Sequence, residues 1–249
     1  MNLVRAEWTK LLSTRVGLWL LVVACLMAGG FTALFTGLAG AENGLPPVGT
    51  TEFAEVVAGI PAQVAVIALV LGVIGMTQEY RHRTATPTFL VSPQRGRVVV
   101  AKLLAYAVAG LVVAVAVVAV TVLVATVYGS ARGGAPDWSG DAPGVLLRSG
   151  LALVVYAVIG VGVGALVRNQ VGAVVGALVY LFVVEPIIAS VPATADAYAY
   201  LPGGALAALT SGDGPGDLLG TWQGGLLLLG YGLVAAVLGT VLAVRRDVV

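Results

Sequence analysis

Apolar residues run along this chain in long continuous blocks, without the alternation of strands or the one-sided stripes of helices that pack on a soluble core. A helix needs about 20 mainly apolar residues to cross the hydrocarbon layer. Six blocks meet that requirement: residues 16–39, 60–76, 98–128, 146–167, 171–191 and 224–244. The second is just long enough, and the third is so long that it must tilt or protrude. The fifth is interrupted by Glu185-Pro186. Spanning strands would alternate lipid-facing and lumen-facing residues, so a β-barrel is excluded. The pattern predicts an all-α integral membrane protein: one domain over residues 1–249 with six transmembrane helices.

The segments between the blocks carry their own signals. Within residues 1–15, Val4, Trp8 and Leu11 fall on one stripe while Arg5, Thr9 and Ser13 face away. Such a helix lies in the membrane interface, with Trp8 at headgroup level and its basic residues toward anionic lipid. Residues 40–59, 129–144 and 192–222 are rich in Gly, Pro and Asp, which are loop formers. The last segment contains the apolar piece 205–209, too short to span, which reads as a short external or re-entrant helix. The loop 79–97 is different, because Tyr80, Phe89, Leu90 and Val91 are apolar groups that a purely solvated loop would not need. Thr86 before Pro87 is a helix start, cap then proline, and Pro93 is a stop. A short helix over 87–91 would present apolar residues to a partner.

Composition agrees: 59% of residues are hydrophobic and 10% charged, with a mean hydropathy of +1.01. Soluble domains are about 25% charged. The net charge of +1 points to neither nucleic acid nor an acidic substrate. The placement of charge is more informative. With the N-terminus inside, Arg5, Lys10, Arg15, Arg81, Arg83, Arg95, Arg97, Lys102, Arg168, Arg245 and Arg246 are cytoplasmic, which is 11 of the 13 basic residues. Only Arg132 and Arg148 fall outside, whereas Glu42, Glu52, Glu55, Asp137, Asp141, Asp196, Asp213 and Asp217 are external. Basic residues mark cytoplasmic loops, so both termini are expected in the cytoplasm of a cell with this protein in its plasma membrane. The first block is too long, and lacks the small-residue cleavage site, for a removable signal.

Enzyme signatures are missing from the sequence. The single histidine, His82, lies between Arg81 and Arg83 in a predicted loop, away from any nucleophile at membrane depth. The single cysteine, Cys25, cannot form an internal disulfide and reads as a packed thiol. Clusters for metal ligation are not evident. Lys10 and Lys102 follow Thr9 and Ala101 rather than the glycine of a phosphate-binding loop. The run Gly160-Val161-Gly162-Val163-Gly164 lacks dinucleotide spacing and lies inside a predicted span. Gly160 and Gly164, and likewise Gly172 and Gly176, are four apart, a spacing that lets helix backbones approach closely in lipid. They are expected to pack spans four and five, or two copies across a dimer. Glu185 is the only acid or base deep in a predicted span. It reads either as a structural pair at a helix break or as a substrate- or proton-handling group.

Taken in order, these pieces resemble the membrane subunit of a type-2 ABC exporter of the form found in high-GC Gram-positive bacteria. The resemblance covers nearly the whole chain. It rests on Arg5-Ala6-Glu7-Trp8-Thr9-Lys10-Leu11 with Ser13-Thr14-Arg15, and on Glu79-Tyr80-Arg81-His82-Arg83-Thr84 with Ser92-Pro93-Gln94-Arg95-Gly96-Arg97 and Ala101-Lys102-Leu103-Leu104. Glu185-Pro186 and Leu201-Pro202-Gly203-Gly204-Ala205 complete it. It implies that residues 1–15, with Val4, Trp8 and Leu11, form an elbow helix. It implies a cytoplasmic coupling helix in loop 79–97, docking on a separate ATPase through Glu79, Tyr80, Arg81, Arg83, Phe89, Leu90 and Val91. It implies short external helices in residues 192–222 and a second permease subunit, identical or related, that completes the substrate path. No cofactor is expected in this chain; ATP and Mg would be bound by two copies of the ATPase. Pro87 departs from a simple continuous coupling helix. The alternative function is a non-transporting membrane scaffold or sensor-associated six-span protein, which would lack an adjacent ATPase gene.

Overall fold

The computed structural model describes residues 2–40, 45–81, 95–167, 169–210 and 218–245. Six helical runs are long and apolar enough to cross a membrane, and the described residues contain no strand. The N-terminal helix Asn2–Ser13 ends where Thr14 turns extended, and span one follows as Arg15–Leu38. Span two is the run Thr51–Gln78, span three Arg95–Ala131, span four Ala142–Val167, span five Gln170–Ser190 and span six Thr221–Arg245. Two short helices, Ala195–Tyr198 and Pro202–Thr210, lie between spans five and six. The chain is thus all-α with six candidate spans.

Several boundaries differ from the sequence reading. Span two begins nine residues before 60, at Thr51, because the expected loop folds there as the helix Thr51–Ala58. The Thr50 hydroxyl caps it, accepting from Phe53 N at 3.2 Å. Phe53, Ala54, Val57 and Ala58 are buried, so this polar-looking segment is apolar on its inward face. Pro61, which lacks an N–H, and the turn at Val64 divide the run before Ala65–Arg81. Span three exceeds its apolar block at both ends, and span four starts at Ala142 rather than 146. The expected interruption of span five at Glu185-Pro186 does not occur. A single π-helical turn, Tyr180–Val184, leads into Glu185–Ser190, and Glu185 N donates to Tyr180 O. The wider turn accommodates a proline whose ring would clash with a carbonyl four residues back.

The core is built on spans two and four. The most apolar window of span two is 67% buried within the chain and that of span five only 11%, so span five borders lipid or another protein. Lipid-exposed surface gives no hydrophobic force between helices, and close packing supplies the attraction instead. Gly72 and Gly160 show this reciprocally. A Cβ on Gly72 would overlap Ala157 O, and one on Gly160 would overlap Leu69 O. Gly164 likewise lies against Met76 and Val73 of span two, and Gly162 against Ala235 of span six. Gly160 and Gly164 therefore face span two rather than span five. Gly172 has only ordinary contacts, with Asn169 at its own helix start and Val167 at the end of span four, and Gly176 has nothing within 4 Å. Ser149 fastens one end of the seam by donating to Ala58 O at 3.0 Å. Thr32, Thr36 and Thr77 return their hydroxyls to carbonyls four residues back, so these three donors are paired inside an apolar core.

A half-paired carboxylate in a cleft and a closed ion network

Val4, Trp8 and Leu11 of the N-terminal helix pack against the main core, while Arg5, Thr9 and Ser13 are exposed. Glu7, one turn after Val4, points inward with them and is 4% exposed. Its Oε1 accepts from Lys10 Nζ at 2.6 Å, and its Oε2 accepts from Lys102 Nζ at 2.6 Å. Lys102 also donates to Gly75 O at 3.1 Å. Burial pushes the Glu7 carboxyl up, but the ammonium of Lys102, then that of Lys10, outweighs it and holds the group below its ordinary value. Lys10 is thus an ion-pair partner rather than a lipid anchor. Lys102 is 1% exposed inside span three, so Glu185 is not the only charged group buried in a span. The network joins three elements: the N-terminal helix, the last turns of span two at Gly75, and the first turns of span three. Spans two and three are the two helices that flank loop 79–97.

Of the predicted coupling set, Glu79, Tyr80 and Arg81 follow span two in the last turn of the helix Ala65–Arg81. Arg83, Phe89, Leu90 and Val91 lie outside the described residues, as does the short helix expected over 87–91.

The second constellation lies at the opposite ends of the spans. Glu185 is 2% exposed and turns inward from span five, while Val184 and Pro186 beside it are exposed. Its Oε2 accepts from Gly203 N at 2.8 Å, in the first turn of the helix Pro202–Thr210. A carboxylate at a helix N-terminus is held by an unsatisfied N–H and by the helix dipole. The missing Cβ of Gly203 leaves room for that approach, since one there would overlap Oε2 unless the carboxyl shifted. Tyr156 of span four donates to Pro202 O at 3.2 Å, which ties the same helix start to the core. Tyr180 lies beside the carboxyl, yet Oε1 of Glu185 has no hydrogen-bond partner among the described residues. Tyr198, on the short helix after span five, has its hydroxyl pKa raised by burial and then by the Glu185 charge, so it stays a neutral donor.

Glu185 lines a cavity of about 540 Å³ between spans two, four and five and the helix Pro202–Thr210. A second cavity of about 1020 Å³ adjoins it and opens along span one, where Phe31 and Phe35 face Glu52 and Glu55 of span two. Gln63, Val66, Phe182, Ala207 and Thr210 line both, so the two form one branched cleft. The described residues include no group of three or more His, Cys, Asp or Glu side chains arranged to hold a metal ion. Sequence reasoning found Glu185 but not its setting. Tyr156, Tyr198 and Gln63 give no local signal in an apolar run, because their shared wall forms only when four elements meet. Glu7 did carry a signal, an acid on the apolar stripe of an amphipathic helix, and Lys102 did too, a cation inside a hydrophobic block.

The profile of the ABC-2 family transporter proteins matches residues 3–184. The match takes in the Glu7–Lys102 network and the cleft walls from spans two and four, and it stops one residue before Glu185. No curated protein matches the chain.

Proposed function

The chain belongs to the ABC-2 transporter family, and we propose that it is the membrane-spanning permease subunit of an ATP-driven exporter. It is a multi-pass membrane protein of a family of transporters. Under this reading it works with a second permease subunit and with a separate ATPase that binds ATP and Mg, and it has no catalytic residue of its own. Both termini lie in the cytoplasm and the membrane is the plasma membrane, in line with the placement of 11 of 13 basic residues. The cleft is the observation that carries the proposal. A transporter needs a polar chamber within lipid-facing helices, and the branched cleft with Glu185, Gln63 and Thr210 supplies one. Spans one and five, exposed within the single chain, are the faces toward a second subunit.

Force enters through loop 79–97, the cytoplasmic connection long enough for a docking contact. The Glu7–Lys10–Lys102–Gly75 network clamps both helices that flank this loop to the N-terminal helix. A push on the loop then moves the three as one body instead of dissipating in separate helix ends. Buried aromatics usually dominate such interfaces, and rim charges contribute less. Phe89→Ala is expected to weaken co-purification of the ATPase and to abolish stimulation of its hydrolysis by the permease, while Arg95→Ala has the smaller effect. Normal assembly and stimulation in Phe89→Ala would remove this loop as the coupling element.

A further inference from the structure

The permease reading leaves one atom without a role, the buried Oε1 of Glu185. We propose that the Glu185 cavity is a binding site for lipophilic amines in their protonated form, an ammonium N–H donating to Oε1 while the apolar body fills the cleft. The proposal deepens the substrate-path reading and rests on it. The Gly203 N–H, with the helix N-terminus behind it, holds Oε2 and leaves Oε1 turned to the cavity. The donors beside the carboxyl, the Gly203 N–H and the Tyr180 hydroxyl, are neutral and bring no countercharge, and Oε1 has no hydrogen-bond partner among the described residues. Among the described residues that line the cavity there is no lysine, arginine or histidine, so a cationic ligand would meet no competing cation there.

The surroundings select the kind of cation. A bare divalent ion needs about six or more oxygen ligands, whereas this oxygen sits among Leu181, Phe182, Leu206 and Val66. An ammonium needs only one or two acceptors and carries its own apolar body. The rings of Tyr156 and Tyr198 on the same wall are groups that attract cations. The volume suits a drug-sized molecule, since such sites are about 300–1,000 Å³. The adjoining branch adds Glu52 and Glu55 and again no basic side chain among the described residues, so the approach carries the same sign of charge.

The test uses the permease alone in phosphatidylcholine nanodiscs, so that a failure to couple to an ATPase cannot be mistaken for failure of the site. Two fluorescent probes are compared: monodansylcadaverine, a protonated amine on an apolar fluorophore, and its N-acetyl derivative, the same fluorophore with a neutral amide. Saturable blue-shifted fluorescence above that of empty nanodiscs reads binding. A charge-assisted hydrogen bond in a buried site predicts that the amine binds about tenfold or more tighter than the amide. Glu185→Gln keeps a carbonyl oxygen for the Gly203 N–H and should erase that preference while leaving amide binding unchanged. Ala189→Phe keeps Glu185 but fills the cavity, and it should weaken both probes. Equal affinity of the two probes, absence of saturable amine binding, or an amine preference that survives Glu185→Gln overturns the proposal. Should Glu185→Gln fail to fold, the wild-type preference and Ala189→Phe decide, and undiminished amine binding in Ala189→Phe is fatal to it.

Discussion

Two carboxylates are buried among the described residues, and their surroundings differ. Glu7 has a lysine on each oxygen, and one of those lysines also reaches a backbone carbonyl. Glu185 has a backbone N–H on one oxygen and no hydrogen-bond partner for the other among the described residues. The first arrangement is complete and therefore holds elements together. The second is half complete, faces a cavity, and leaves the molecule room to accept something. Charge taken out of water is stable only when it is fully answered. Where this chain answers it, the carboxylate ties elements together, and where it does not, it lines the cavity of the proposed site. The two lie at opposite ends of one seam, spans two and four, whose glycines allow backbone contact.

The sharpest way to break the comparison is to remove one partner from the closed network. Lys102→Met leaves Glu7 buried with Lys10 alone and is expected to cost about 3–5 kcal/mol of stability. The measurement is thermal unfolding in nanodiscs. Glu7→Gln combined with Lys102→Met should recover part of that loss, since no charge is then left without its buried partner. Glu185→Gln should cost much less than Lys102→Met, and comparable losses would end the distinction between clamp and site.

Acid should separate the two in the same direction. The folded state holds the Glu7 carboxyl below its ordinary value of 4.5. The unfolded chain therefore takes up that proton first, and the Glu7 contribution is complete above pH 4.5 and lost as pH falls through the depressed folded value. Melting temperature of the wild type should decline over that acidic window. The Glu7→Gln, Lys102→Met double variant should decline less. Parallel pH profiles would place the acid sensitivity elsewhere.

The smallest effect comes from a matched pair of glycines, one beside each carboxylate. A Cβ on Gly75 would overlap the ring of buried Tyr106, which has nowhere to go, so Gly75→Ala is expected to cost about 1–3 kcal/mol. A Cβ on Gly203 would overlap only the far end of Glu185, which can shift into the cavity, so Gly203→Ala should cost about 1 kcal/mol or less. The same thermal assay ranks them. The reverse order would mean that the cleft is packed as firmly as the clamp.

Much of this was legible in the sequence because it depends on local composition. Six blocks of apolar residues need no partner to be recognised, since lipid is the solvent for each one separately. The stripe of Val4, Trp8 and Leu11 was visible for the same reason, and so was a short helix near 205–209. What was not legible required two distant segments at once. Thr51–Ala58 looked like a loop, and its inward face has meaning only against spans one, three and four and the Trp138 region. Gly160 and Gly164 announced close packing but not the partner, because a small residue permits an approach without selecting which helix makes it. Pro186 announced a break, and the backbone absorbed it in a wider turn.

The sequence by itself determined that this chain spans a membrane about six times and that it resembles an ABC transporter permease. Those follow from the cost of putting unpaired backbone and charge into hydrocarbon, which every residue contributes to independently. Only the tertiary structure decided which charges are answered. Glu7 and Lys102 are 95 positions apart and Glu185 and Gly203 are 18 apart. A hydrogen bond acts over about 3 Å, so neither pairing exists until the helices have packed.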